Sequence, residues 1–242
     1  MTDGIFDARA AAVYDASSAS MFDDAVLGPT VEFLAGFARG GRALEFAVGT
    51  GRVALPLRAR GVDVWGIELS QAMVGQMVAK PGGDAVPVVV GDMATTRVES
   101  TFSLVYLVFN TITNLLSQDE QVACFRNAAA HLAPGGHFVV EVFVPDLRRL
   151  PMGETIVPFD VSPTHLGFDE YDVANQRLVS HHYWIGSRRT ETFHTPHRYA
   201  FPVEYDLMAR LAGMTLVERW ADWHRTPFTS ESRSHVSVWR TA

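Results

Sequence analysis

Residues 43–61 read "ALEFAVGTGRVALPLRARG", an apolar run that breaks at Gly49 and Gly51 and then resumes with apolar residues at helical spacing. A strand, a turn that needs glycine and a helix give this pattern, and such a turn commonly wraps a ligand. The alternation continues outward from it. "ALEFAV" reads as a strand, 52–60 as a helix, "VDVWGIE" as a strand, "SQAMVGQMVAK" as a helix, and "AVPVVVGD" and "FSLVYLVF" as strands. A helix from Ser117 to Leu132 and a strand "GHFVVEVFV" follow, with "APGG" at 133–136 as the stop between them. Strands alternating with helices predict a parallel sheet with crossover helices, and nearly continuous apolar strands predict a sheet covered on both faces. Pro56 requires its helix to start late or to kink.

From Leu150 to Tyr199 the pattern changes to polar and apolar alternation, as in "FDEYDVANQRLVSHHYWI", where "VANQ" fits a hairpin turn. This predicts an antiparallel insertion. The earlier pattern returns with a helix at "VEYDLMARLAG" and two late strands, "TLVERWADW" and "HVSVWR". The expected division is N-terminal lid helices over 1–40, a core over 41–148 and 201–242, and the antiparallel insertion over 149–200 as a cap beside the substrate.

Composition excludes several classes. The formal charge is −7, and the only adjacent basic pairs are Arg148–Arg149 and Arg188–Arg189, which argues against a nucleic-acid footprint. The start, "MTDGIFDARA", has no leader pattern and the longest apolar runs fall far short of a membrane span, so no membrane partner and a cytoplasmic location are expected. Cys124, the single cysteine, falls on the apolar face of its helix and reads as packing. Homo-oligomerisation is compatible with the sequence and not read from it.

Gly49, Gly51 and Ala54 satisfy the dinucleotide pattern G-x-G-x-x-[GA], with Glu68 ending the next strand 19 positions after Gly49. A nicotinamide oxidoreductase would use the same residues. Glu45, four residues before Gly49, speaks against a pyrophosphate there and for a ligand carrying positive charge. Asp92 then closes the third strand in "VVVGDM", so three successive strands end in Glu45, Glu68 and Asp92 and bring three carboxylates to one crevice.

These residues resemble the class I S-adenosylmethionine-dependent methyltransferases, whose first motif, E/D-x-G-x-G-x-G, is matched by "EFAVGTG" with Ala47 in place of the first glycine. The resemblance implies a Rossmann-like, doubly wound α/β sheet of seven mostly parallel strands, with a reversed seventh strand near the end. It implies that Glu45, Ala47, Gly49 and Gly51 hold the methionine portion of S-adenosylmethionine. Glu68 would take the ribose hydroxyls, Leu69 and Met73 line the adenine slot, Asp92 and Met93 meet the adenine amino group, and Val108 complete the pocket. No N-P-P-Y type motif leaves the fourth strand, which instead ends "VFNTITNL", and Asp146 stands without the acidic pair of metal-dependent members. No metal is therefore expected. Tyr14-Asp15 and Phe109-Asn110-Thr111-Ile112 look like the lid and strand exit of small-molecule members from antibiotic and amino-sugar pathways. That likeness makes Tyr14 and Phe109 the catalytic candidates, places Phe6, Phe109, Asn110, Asn114 and His182 at the acceptor, and favours N-methylation of a small-molecule amine.

Methyl transfer from a sulfonium asks mostly for positioning and a deprotonated nucleophile. An amine needs no dedicated base. A hydroxyl acceptor would be served by a histidine, and the insertion offers His181, His182, His194 and His197, of which at most one of the first two can face a site. "HTPH" at 194–197 reads as a loop. Tyr171, Tyr183, Trp184 and Phe193 either wall a pocket or pack beneath a small sheet. The alternatives are thus an O-methyltransferase, the nicotinamide enzyme, and a non-catalytic protein that binds S-adenosylmethionine.

Overall fold

A computed structural model of the chain describes residues 7–187 and 189–242. In chain order its strands are β1 Arg42–Phe46, β2 Asp63–Glu68, β3 Val88–Val90, β4 Phe102–Leu107, β5 Leu132–Phe143, β6 Ile156–Val161, β7 His165–Asp172, β8 Arg177–Ile185, β9 Thr190–Arg198, β10 Met214–Trp220 and β11 Ser234–Thr241. The helices are α1 Ala8–Ser17, α2 Asp24–Ala38, α3 Ala54–Ala59, α4 Gln71–Val78, α5 Gln118–His131 and α6 Pro202–Leu211.

The main sheet runs β10-β11-β5-β4-β1-β2-β3, parallel throughout except where β11 pairs antiparallel with β5 and β10. The expected seven strands, crossover helices and reversed late strand are all present. Aliphatic side chains on both faces of β1, β4 and β5 explain the burial of these central strands: Leu44, Leu104, Val105 and Val139 are shielded from solvent, with α2 and α3 covering one face and α5 and α6 the other. α2 is thus a layer of the core, with Leu34 and Phe37 buried, and within 8–38 it is α1 that reaches the glycine turn. No helix of the described residues is long and apolar enough to cross a membrane.

Three local readings are corrected. β3 spans three residues and is only partly buried, because it is the edge of the sheet, where one flank has no partner strand. "APGG" does not separate helix from strand. β5 begins directly after α5, and residues 133–136 bulge between the pairs Phe102–Leu132 and Leu104–His137, with Gly135 at φ +73°. "HTPH" lies inside β9, and Pro196 is tolerated there because β9 is the edge strand of its sheet. Pro56 falls in the first turn of α3, where a missing N–H costs no intrahelical bond, so the helix starts late. Cys124 is buried and its thiol is pushed up by that burial.

The insertion is a four-stranded antiparallel meander, β6-β7-β8-β9, with "VANQ" as the turn between β7 and β8. It is riveted to the core at its base. Arg198, 5% exposed, donates to Gln121 Oε1 at 2.5 Å, Gln176 Oε1 at 3.1 Å and Glu204 Oε1 at 2.6 Å, joining β9 to α5 and α6.

Candidate active site

The turn after β1 is built by backbone conformation. Ala47, Gly49 and Gly51 take φ of +53°, +59° and +79°. Two of the three left-handed positions are glycine, the residue that adopts them without strain, and Ala47 holds the same conformation at the position where the motif has its first glycine. Glu68, at the end of the neighbouring strand, fixes this turn from the side: Oε2 accepts from the Gly49 N–H at 2.9 Å and Oε1 from the Ser70 N–H at 2.8 Å. Its carboxylate therefore bridges the turn after β1 and the start of α4. Ser70 caps α4 by accepting from the Met73 N–H.

Glu45 is 3% exposed. Parallel pairing sets Tyr106 of β4 opposite it, and the phenol donates to Glu45 Oε2 at 2.8 Å. Burial pushes the Glu45 carboxyl up to about 8, against the opposing effects of the Tyr106 hydrogen bond and the Arg52 guanidinium. An acid raised in this way favours its neutral form until an opposite charge comes beside it. Asp92 accepts from the Ala94 N–H at 2.8 Å just past β3. The three strand-end acids thus share one edge of the sheet, as the sequence implied.

α1 crosses this edge. Asp15 accepts from the Thr50 hydroxyl at 2.6 Å and pairs with Lys80, whose ammonium also donates to the Thr50 carbonyl at 2.8 Å. Tyr14, one residue earlier, is raised by burial and feels the charges of Arg52, Glu68 and Glu45. Its hydroxyl therefore lies within range of the charges at this edge of the sheet. Phe6 lies outside the described residues.

The exit of β4 is strained. Phe109 and Asn110 both take left-handed φ, +58° and +61°, a conformation asparagine tolerates but one that costs a bulky residue such as Phe109 about 1–2 kcal/mol. Glu141 of β5 sustains it, accepting from the Phe109 N–H through Oε2 at 2.9 Å and from the Asn110 N–H through its carbonyl at 3.2 Å. The Arg52 guanidinium lies 5.1 Å from the centre of the Phe109 ring. Asn110 Oδ1 accepts from the Phe143 N–H at 2.8 Å, so this oxygen holds the strand exit in shape. Asn114 closes the following short turn, half-buried.

The insertion divides its aromatic and histidine residues between two faces. Strand register places Tyr171, His182, Trp184, Phe193 and His197 on one face and His181, Tyr183 and His194 on the other. The first face meets the β4 exit through His197, whose Nδ1 lies 3.0 Å from the Thr113 hydroxyl. Its Nε2 lies 3.1 Å from the Thr195 hydroxyl, and burial lowers the ring to about 4. His182 sits across from Phe193, four residues further along β8 than the pairing partner of His197, or about 13 Å. Among the described residues no group of three or more histidine, cysteine or acidic side chains could hold a metal ion.

Sequence reading missed Arg52, Lys80, Thr50, Tyr106 and Glu141. A cation following glycine in "GTGR" was a visible signal for Arg52. The others depend on which strand lies beside which.

Residues 43–136 match the methyltransferase domain family. The CcbJ methyltransferase from Streptomyces caelestis is 40% identical, with 88% of each chain covered and a TM-score of 0.80. A cypemycin N-terminal methyltransferase from Streptomyces sp is 26% identical over 202 residues, 82% of each chain. The S-adenosylmethionine-bound CalS10, an amino pentose methyltransferase from Micromonospora echinaspora, shares the fold at 22% identity and a TM-score of 0.74, covering 95% of this chain and 97% of that one. A glycine turn framed by strand-end carboxylates, a buried acid suited to an ammonium and this kinship together make the chain a member of the S-adenosylmethionine-dependent methyltransferases, an enzyme with S-adenosylmethionine as its cofactor.

Proposed function

We propose that this enzyme methylates the nitrogen of a small-molecule amine in specialised metabolism. S-adenosylmethionine brings a methyl group on a sulfonium, which leaves as a neutral thioether. Glu45 pairs with the cofactor's ammonium, and the Arg52 guanidinium, the cation nearest Glu45 and Phe109, takes its carboxylate together with the turn at Ala47–Gly51. Glu68 binds the ribose hydroxyls, Asp92 and Met93 receive the adenine amino group, and Leu69, Met73 and Val108 form the apolar walls. Tyr14 and Phe109 bracket the acceptor nitrogen and exclude water, while Asn110 and Asn114 shape the exit around it. The nitrogen lone pair forms the new N–C bond as the C–S electron pair returns to sulfur, and the surplus proton passes from nitrogen to solvent.

The observation that supports nitrogen over oxygen is the state of the histidines. His197, the one that adjoins the β4 exit, has both ring nitrogens beside threonine hydroxyls and a pKa lowered to about 4, so it is a poor base. His182 lies four residues further along β8 than the residue paired with His197, and its Nδ1 is already engaged with His165. An amine needs neither. The test is incubation of the enzyme with methyl-labelled S-adenosylmethionine and a set of amino-sugar, peptide N-terminal and hydroxylated aromatic acceptors, with the methyl located by fragmentation. A methyl on nitrogen is expected. A methyl on oxygen, with one histidine variant abolishing transfer, would overturn the reading.

A further inference from the structure

The face of the insertion that meets the β4 exit has a charge that bears on what the rest of the acceptor can be. It carries the carboxylates Asp160, Asp169 and Glu191, and its one arginine among the described residues, Arg189 at the hairpin, is engaged in an ion pair with Glu191, which leaves Asp160 and Asp169 without a lysine or arginine partner. Arg177 and Arg198 belong to the opposite face, and Arg149 at the margin donates to the Pro158 carbonyl at 3.4 Å. Asp169 is half-buried against the Ser180 hydroxyl at 2.6 Å, and burial raises its carboxyl.

The same face is ordered into a flat platform. Asp160 Oδ2 lies 2.6 Å from His165 Nδ1, which places the proton on that nitrogen and leaves His165 Nε2 to accept from His182 Nδ1 at 3.1 Å. His182 then presents an unprotonated Nε2, with no hydrogen bond to it among the described residues. The His165, His182 and Trp184 rings are within 17° of parallel, with centres 5.2–5.3 Å apart. Trp184, 43% exposed, and Phe193, 36% exposed, complete an aromatic surface that water now covers.

We propose that this face binds the distal part of the methyl acceptor, and that the acceptor is an extended amine whose distal part is a neutral or cationic ring bearing a hydrogen-bond donor for His182, not a nucleotide diphosphate. The inference rests on the amine reading above. A planar ring stacks on Trp184 and the two imidazoles, its donor meets His182 Nε2, and Asp160 and Asp169 repel a diphosphate placed beside them. The length fits as well. From His197 to Trp184 the face runs about 20 Å, longer than a single sugar.

The experiment uses two ligands with the same amino sugar and different tails, p-hydroxyphenyl β-D-glucosaminide, whose phenol supplies the donor, and UDP-glucosamine, titrated calorimetrically into enzyme saturated with S-adenosylhomocysteine. At low salt the aryl compound should bind at least about tenfold more tightly, and 0.5 M salt should narrow the gap by weakening repulsion of the diphosphate. The D160N/D169N variant should narrow it too, with its fold checked by melting. Equal or tighter binding of UDP-glucosamine, a gap indifferent to salt and to the variant, or no binding of the aryl compound would overturn the proposal. No transfer occurs with the demethylated cofactor in place. A failure here is therefore distinct from a failure of the amine reading, which registers as the atom that receives the methyl.

Discussion

The two ends of the active site are built by different means. At the cofactor end, main-chain conformation does most of the work: left-handed residues at Ala47, Gly49 and Gly51 make a turn, and buried Glu45 and Glu68 hold it between strands. At the insertion end, side chains on a half-exposed meander make the surface, and the backbone beneath is ordinary antiparallel sheet. On the proposed reading the difference teaches that the first end is constrained by its backbone, whereas the second can vary its surface without disturbing the fold. Changes at the first end should damage cofactor binding. Changes at the second should redirect acceptor choice.

The sharpest way to break this comparison is Glu68→Ala. It removes the acceptor of the Gly49 and Ser70 N–H groups as well as the proposed ribose contact, so S-adenosylmethionine binding should weaken by about 2–3 kcal/mol, measured by calorimetry. Unchanged affinity would mean that the turn does not depend on its carboxylate. Next in size is the boundary between the two ends. Phe109→Ala should lower kcat/KM at least about tenfold, or 1.4 kcal/mol, through loss of one wall of the bracket, whereas Tyr14→Phe, which keeps the ring, should cost less. The reverse ranking in steady-state kinetics would give the Tyr14 hydroxyl a chemical part.

A third measurement concerns protons. Burial raises Glu45 from 4.5 to about 8, so at pH 7 the cofactor-free enzyme holds a proton that an arriving ammonium should expel. Binding heats in two buffers of different ionisation enthalpy should report release approaching one proton near pH 7, and none in Glu45→Gln. The same shift has a stability counterpart. Because the folded-state value is raised, the contribution is fully present below about 4.5 and is lost as the pH rises through 8, so Glu45→Gln should flatten that part of the melting profile. The smallest effect is at Ala47. Replacing it with glycine relieves the left-handed alanine but adds freedom to the unfolded chain, for a net gain of about 0.5–1 kcal/mol in urea unfolding.

The cofactor end was largely legible in the sequence because its signals are local: glycines at a fixed spacing, an acid before them, and acids at the ends of the next two strands. The partner of Glu45 was not, because Tyr106 reaches it only through the pairing of β1 with β4 across 61 positions. Asn110 was placed at the acceptor, whereas its side-chain oxygen is bonded to the Phe143 N–H, a partner that no local pattern announces. In the insertion, alternation foretold that His181 and His182 would face opposite ways, but which of them shares a face with the β4 exit depends on where the meander docks. "HTPH" reads as a loop because no cysteine or third ligand joins its two histidines, whereas it lies in a strand whose edge position has room for a proline.

Two attachments described above differ in what it takes to release them. α1 is tied to the glycine turn through Asp15 and Lys80, whose side chains are 38% and 26% exposed, and exposed pairs of this kind contribute about 0–1 kcal/mol. The insertion is tied through Arg198, 5% exposed, and separating a buried ion pair leaves an uncompensated charge at a cost of about 3–5 kcal/mol. The enzyme therefore has a door and a wall. On the proposed reading spent cofactor should leave by lifting α1 while the insertion stays in place, so amide exchange should be faster along α1 than along β9.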